Sequence, residues 1–190
     1  MYDALVLAGG AARRLGGVDK PALVLAGRSL LDRVLLATAA ANRTVVVGPE
    51  RAVCRPVVWA REYPAGGGPA AALAAGLAHV TADLVVLLAA DLPYVTKAAV
   101  TDLLGRVGDE DGDGTVITVE GRPQWLCSAW RTAVLIEAVR GRDLAGSSLR
   151  GLLEGLRFSR DAAAPQGTWR DCDTPEDLAA LVAGSERRTT

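Results

Sequence analysis

Three short, unbroken apolar runs constrain most strongly what this chain can become: ALVLA (4–8), TVVVG (44–48) and LVVLLAA (84–90). They are rich in Val and Leu, bounded by Gly, Pro or Asp, and do not alternate with polar residues. A strand with water on one face alternates, so these read as strands covered on both faces. Between them SLLDRVLLATAA (29–40), GPAAALAAGLAHV (68–80) and VTKAAVTDLLGRV (95–107) carry helical patterns. A strand, helix, strand rhythm predicts an α/β fold: a three-layer α/β/α sandwich around a Rossmann-like, mainly parallel sheet. Further on, TVITVE (115–120) and WLCSAW (125–130) read as strands, and 132–140, 147–154 and 174–183 as helices. No repeat or linker interrupts the pattern, so one domain is expected over 1–184, followed by a polar tail at 185–190.

Composition narrows the function classes. Of the 190 residues 50% are hydrophobic but only 4% aromatic, so the core must be built from Ala, Val and Leu. A net charge of −1, with acids and bases interspersed, offers no electrostatic footprint for nucleic acid or an anionic membrane. A small-molecule partner is expected instead. Cys54, Cys127 and Cys172 stand far apart with no CxxC pair, against both a disulfide framework and a zinc site. ALVLA is too short for a signal-peptide core and no apolar stretch reaches membrane-spanning length, so a cytoplasmic protein is expected. The single histidine, His79, falls near a helix end with no triad around it and reads as solvated.

The first strand runs into LAGGAARRLGGVDKP (7–21), which carries two glycine pairs with Arg13, Arg14 and Lys20. Glycines let backbone N–H groups approach a ligand closely, and the cations supply compensating charge, so the loop suits a polyphosphate. It is no Walker A loop, because Lys20 precedes Pro21 and no helix is expected to start there; nor do its glycines give G-x-G-x-x-G. Asp91 closes the third apolar run, at the carboxyl edge where open parallel sheets bind ligands and from which the Gly9 loop also departs. A carboxylate there suits Mg²⁺; the alternative is a cap on the following helix or turn. DEDGDGTVITVE (109–120) satisfies the spacing of a calcium-binding EF-hand loop. Its second half alternates like a strand, however, and Gly121 and Pro123 oppose the exiting helix, so an acidic turn entering a strand is expected.

The loop, with LAGG, three residues, Arg14, Leu15, Gly16, Gly17, one residue, Asp19 and Lys20, resembles the signature of the molybdenum cofactor guanylyltransferase family of nucleotidyltransferases. GGGP (66–69), DLP (91–93) and DTPEDL (173–178) agree in order, so the resemblance spans about residues 3–183. It implies that the terminal phosphate of molybdopterin, carrying molybdenum, attacks the α-phosphorus of GTP and expels pyrophosphate, with Mg²⁺ as cofactor and no protein nucleophile. It further implies that Leu7, Ala8, Gly9 and Gly10 cradle the nucleotide, that Arg14 and Lys20 grip the triphosphate, and that Asp91 and Asp173 hold the metal.

Several positions stay open. Asp19 either orients the loop or forms an exposed ion pair. Asp173 either meets the metal or caps the last helix, since Asp173, Thr174, Pro175 and Glu176 carry helix-start signals. The family usually reads GPLAG where this chain has GPAAA (68–72), and often Asn where it has Gly48, which weakens the inherited choice of base and leaves CTP as the alternative. Glu62 is the candidate contact for guanine, with Arg61 competing for that alignment. Arg122, Gln124 and Trp125 are candidates for the acceptor side, although Trp125 and Trp130 suit a core equally well.

Overall fold

A computed structural model describes residues 1–9, 19–108, 112–161 and 168–169. In chain order the elements are β1 (Tyr2–Leu7), a single 3-10 turn (Lys20–Ala22), β2 (Val24–Leu25), β3 (Arg28–Ser29), α1 (Leu30–Ala37), β4 (Thr44–Val47), β5 (Val58–Ala60), α2 (Pro69–Leu77), β6 (Leu84–Ala89), α3 (Lys97–Gly105), β7 (Gly114–Val119), β8 (Arg122–Arg131), α4 (Thr132–Val139), α5 (Leu149–Leu153) and β9 (Phe158–Asp161). Every segment read from the sequence as a strand or helix within the described residues is present; 174–183 lies outside them. The 3-10 turn corrects one expectation, since a helical turn does begin at Lys20. Pro21 fits it, because the first residues of a helical turn need no N–H partner.

Seven strands form one sheet in the order β5-β4-β1-β6-β8-β7-β9. The pairs β5/β4, β4/β1, β1/β6 and β7/β9 are parallel, whereas β8 runs antiparallel to both β6 and β7. The layers follow from strand alternation. Ala4, Val6, Val46, Val86 and Leu88 face one cluster with Leu31, Val34 and Leu35 of α1 and Val100 and Leu103 of α3. Leu5, Val45, Val47, Val85 and Leu87 face the other, with Leu73 and Leu77 of α2, Leu135 of α4 and Leu152 of α5. Both faces are covered, which is why the apolar runs are continuous. Small residues let the layers close: a Cβ on Gly76 would stand 2.1 Å from a methyl of Leu5, so α2 reaches β1 only with glycine there.

Helix starts are set by local chemistry. Ser29 accepts from the Asp32 N–H at 3.0 Å to open α1, and Thr96 accepts from the Ala99 N–H at 3.2 Å to open α3. Trp130 is fully buried with its Nε1 donating to Ser128 Oγ at 2.8 Å. Trp125 is half-buried and packs edge-on to Phe158, ring centroids 5.4 Å apart. The tryptophans of β8 therefore belong to the packing around β9. At the opposite end of the sheet from the Gly9 loop, Asp3 is wholly buried and its Oδ2 accepts from the backbone N–H groups of Thr81 (2.7 Å) and Ala82 (3.1 Å).

The calcium-loop spacing has no fitting context among the described residues. β7 occupies Gly114–Val119, Glu120 sits exposed in the turn to β8, and Asp113 pairs with Arg157 at 3.3 Å. A strand stands where that motif needs a helix. Among the described residues no helix is long and apolar enough to cross a membrane.

Candidate active site

Parallel pairing of β4, β1 and β6 brings the three strand ends to one edge, with Leu7 level with Val47 on one side and Ala89 on the other. Beyond the ladder the chains stay locked together: Ala8 N–H donates to Val47 O at 2.8 Å and Ala90 N–H to Leu7 O at 3.1 Å. The exit of β1 is thus pinned from both sides before the glycine loop begins. Gly48 completes the clamp. Its φ is +150°, and a Cβ there would stand 2.8 Å from the Ala8 carbonyl carbon and 3.0 Å from the Gly9 nitrogen. Any side chain at this position would push into the first turn of the loop. Here, where the resembled family often has Asn, glycine lets the β4 and β1 backbones touch.

Two residues beyond β5, Glu62 turns back to the same place. Its Oε1 accepts from the Gly66 N–H at 3.1 Å and lies 4.0 Å from where a Cβ on Gly9 would be. A carboxylate thereby stands beside the Gly9 backbone, half-buried, while Arg61 is exposed. GGGP leads directly into α2, whose N-cap is Gly68 and whose Pro69 fills the first turn.

On the β6 side, Asp91 Oδ2 lies 3.9 Å from Lys20 Nζ, and the two side chains keep only 19% and 14% of their exposure. Residues separated by most of the first half of the chain therefore meet at the loop's far end. Asp91 does not cap α3, a task that Thr96 performs. Asp19 is half-exposed and forms a two-point ion pair with Arg51, Nε to Oδ2 at 2.8 Å and Nη2 to Oδ1 at 2.6 Å. Arg51 Nη1 also donates to Pro49 O at 2.7 Å. Asp19 is thus both an ion pair and an orienter: the bridge ties the segment carrying Lys20 to the residues just past β4. Arg51 carries no signal in the sequence, because its partner lies 32 positions away and only the fold joins them.

Leu7, Ala8, Gly9, Lys20, Glu62 and Asp91 therefore converge on one edge. Gly10, Arg14 and Asp173 lie outside the described residues. Among the described residues no group of three acidic, histidine or cysteine side chains forms a ready metal cage. His79 is exposed and away from this edge, its carbonyl accepting from Arg43 at 2.7 Å. Cys54 is an exposed thiol, and the buried Cys127 Sγ donates to the Trp169 carbonyl at 3.9 Å.

Comparison with known proteins shows the family. Residues 4–163 match the MobA-like NTP transferase domain. The chain is 34% identical over 136 residues to a molybdenum cofactor guanylyltransferase of Bradyrhizobium, covering 66% of this chain and 64% of that one. It is 30% identical over 190 residues to a probable molybdenum cofactor guanylyltransferase of Synechococcus elongatus, covering 95% and 97%. Among solved structures, molybdopterin-guanine dinucleotide biosynthesis protein A of Archaeoglobus fulgidus superposes with a TM-score of 0.76 at 20% identity, over 97% of this chain and 99% of that one. A 2-C-methyl-D-erythritol 4-phosphate cytidylyltransferase of Thermus thermophilus gives 0.69 at 20% identity, over 98% and 100%, so the fold is shared with an enzyme of a different base. The family match spans most of the chain and includes the edge where the glycine loop, Glu62 and the Lys20–Asp91 pair meet: the chain belongs to the MobA-like NTP transferase domain family and is a nucleotidyltransferase.

Proposed function

We propose that this nucleotidyltransferase transfers the GMP moiety of GTP to the terminal phosphate of a molybdopterin-type acceptor carrying molybdenum, releasing pyrophosphate. The observation that carries the reading is the Lys20–Asp91 pair, 3.9 Å apart and largely withdrawn from solvent, at the edge where the Gly9 loop begins. In this reaction an acceptor phosphate oxygen forms a bond to the α-phosphorus, the bond to the bridging oxygen breaks, and pyrophosphate leaves with the electron pair. The acceptor oxygen is already anionic near neutral pH, so no protein base is required. What the protein must supply is position and charge. Backbone N–H groups around Gly9 and Gly10 hold the nucleotide, while Arg14 and Lys20 neutralise the β- and γ-phosphates that leave.

Asp91 is suited to Mg²⁺, a hard ion commonly bound through one or two carboxylates together with substrate phosphates, and Asp173 is the second proposed ligand. A divalent cation there would neutralise charge between triphosphate and acceptor. Lys20 Nζ stands 3.9 Å from the Asp91 carboxylate and so brings its positive charge to the same place.

Guanine is favoured by the LAGG and GG-x-DK elements and by the Glu62 carboxylate beside Gly9, which can accept from the N1–H and amino group that guanine, unlike cytosine, presents together. Gly48, Ala70 and Ala72 depart from the guanylyl pattern and give cytidylyl transfer its one specific support. A pyrophosphate-release assay with the four nucleoside triphosphates and molybdopterin separates the two. GTP is expected to dominate; CTP used at least as efficiently would move the protein to the cytidylyl branch.

A further inference from the structure

A cavity of about 710 Å³ opens between α1 and the segment that runs from Asp91 into α3. Arg28, Arg33 and Lys97 line it, together with Tyr94, Thr96 and Thr168, and no carboxylate does so among the described residues. Its volume is that of a small-molecule site, and its lining combines three cations with hydroxyl donors. Arg33 is the fixed member. Its Nη2 is anchored on the Leu25 carbonyl, whereas its Nε is buried with no hydrogen-bond partner. Burial first and the neighbouring Arg28 second depress its pKa, against a smaller opposing contribution from Tyr94. The nearest acid on α1, Asp32, is turned to the Cys54 N–H at 2.8 Å. A guanidinium anchored in this way, with Arg28 and Lys97 alongside in the lining, offers positive charge to the several acceptor oxygens of a phosphate.

We propose that this cavity is a second anion site, taking a phosphate monoester or a diphosphate, separate from the Gly9–Lys20 loop. Pro93 lines its wall and lies two positions after Asp91, so an anion here sits next to the transfer edge, and among the described residues neither Lys20 nor Asp91 lines the cavity. Two sources share this chemistry: the acceptor's own phosphate, in keeping with the function proposed above, and free pyrophosphate.

Calorimetric titration of inorganic pyrophosphate into the full chain tests the site independently of that function. Binding is expected to persist in Lys20→Ala and to weaken about tenfold in Arg33→Gln, the loss of a charge-assisted contact. Because Arg33→Gln also removes the bond to Leu25, Arg28→Gln and Lys97→Gln on the exposed rim carry the same test, with a several-fold loss expected in each. Binding that vanishes in Lys20→Ala, or that is unchanged in both rim variants, overturns the proposal. Steady-state kinetics then tell the sources apart. A raised KM for the acceptor in Lys97→Gln, with the KM for GTP unchanged, assigns the site to the acceptor; unchanged KM values with weakened inhibition by pyrophosphate assign it to the free anion.

Discussion

Replacing Lys20 by alanine removes a cation from the transfer edge and leaves the apolar core untouched. Charge stabilisation at a transferring phosphoryl group contributes about 3 kcal/mol, so turnover should fall by about two orders of magnitude with an unchanged melting curve. Near-native turnover would take Lys20 out of the site. Asp91→Asn is the sharper substitution, because an amide is a weaker ligand for a divalent cation and a weaker partner for the ammonium 3.9 Å away. Metal-dependent turnover should be almost abolished; wild-type activity with the same Mg²⁺ dependence would place the metal elsewhere. Neither partner of this pair is unusual in sequence, and it was the glycine spacing before Lys20 and the strand before Asp91 that made both legible.

At the scale of elements, the loop leaving β1 is held at two ends by different means. Its start is clamped by the backbone contact with Gly48, and its end by the Arg51–Asp19 bridge, with Arg51 keeping 15% of its side-chain exposure. Arg51 contacts Asp19 and the Pro49 carbonyl, so its expected role is to position Lys20. Arg51→Ala should therefore raise the KM for the nucleotide several-fold and lower kcat, while Arg51→Lys restores little, since an ammonium cannot reproduce the planar two-point contact. Because an ion pair with one partner half-exposed contributes only about 0–1 kcal/mol, stability should shift little. Equal loss of stability and activity in Arg51→Ala, or full rescue by lysine, would assign it a merely structural role.

For the whole molecule, the two ends of the parallel strands have divided tasks: the carboxyl ends gather the site, and the amino end of β1 buries Asp3. Burial works against the Asp3 charge, but the hydrogen bonds from Thr81 and Ala82 outweigh it and hold the carboxyl below its ordinary range. The folded pKa is depressed, so its contribution is complete above the unfolded value of about 3.9 and is lost as pH falls through the folded one. Asp3→Asn should thus destabilise the protein by about 1–2 kcal/mol at pH 7, and denaturant curves should show the gap to wild type closing in acid. A gap independent of pH would mean that shape, and not charge, matters there. The sequence by itself determined the layered α/β plan, because a strand covered on both faces must be apolar throughout and a helix must repeat its apolar face. It also marked out the Gly9–Lys20 segment as a candidate phosphate loop, because its glycine and cation spacing is local. Short β5 and β9, the β2/β3 hairpin and the antiparallel course of β8 came only from the tertiary structure, since their pairing is set by neighbours and leaves no periodicity. The Arg51–Asp19 bridge, the place of Glu62 beside Gly9 and the cations gathered around Arg33 belong to the same class: contacts between distant residues exist only once the sheet has fixed which strand ends stand side by side.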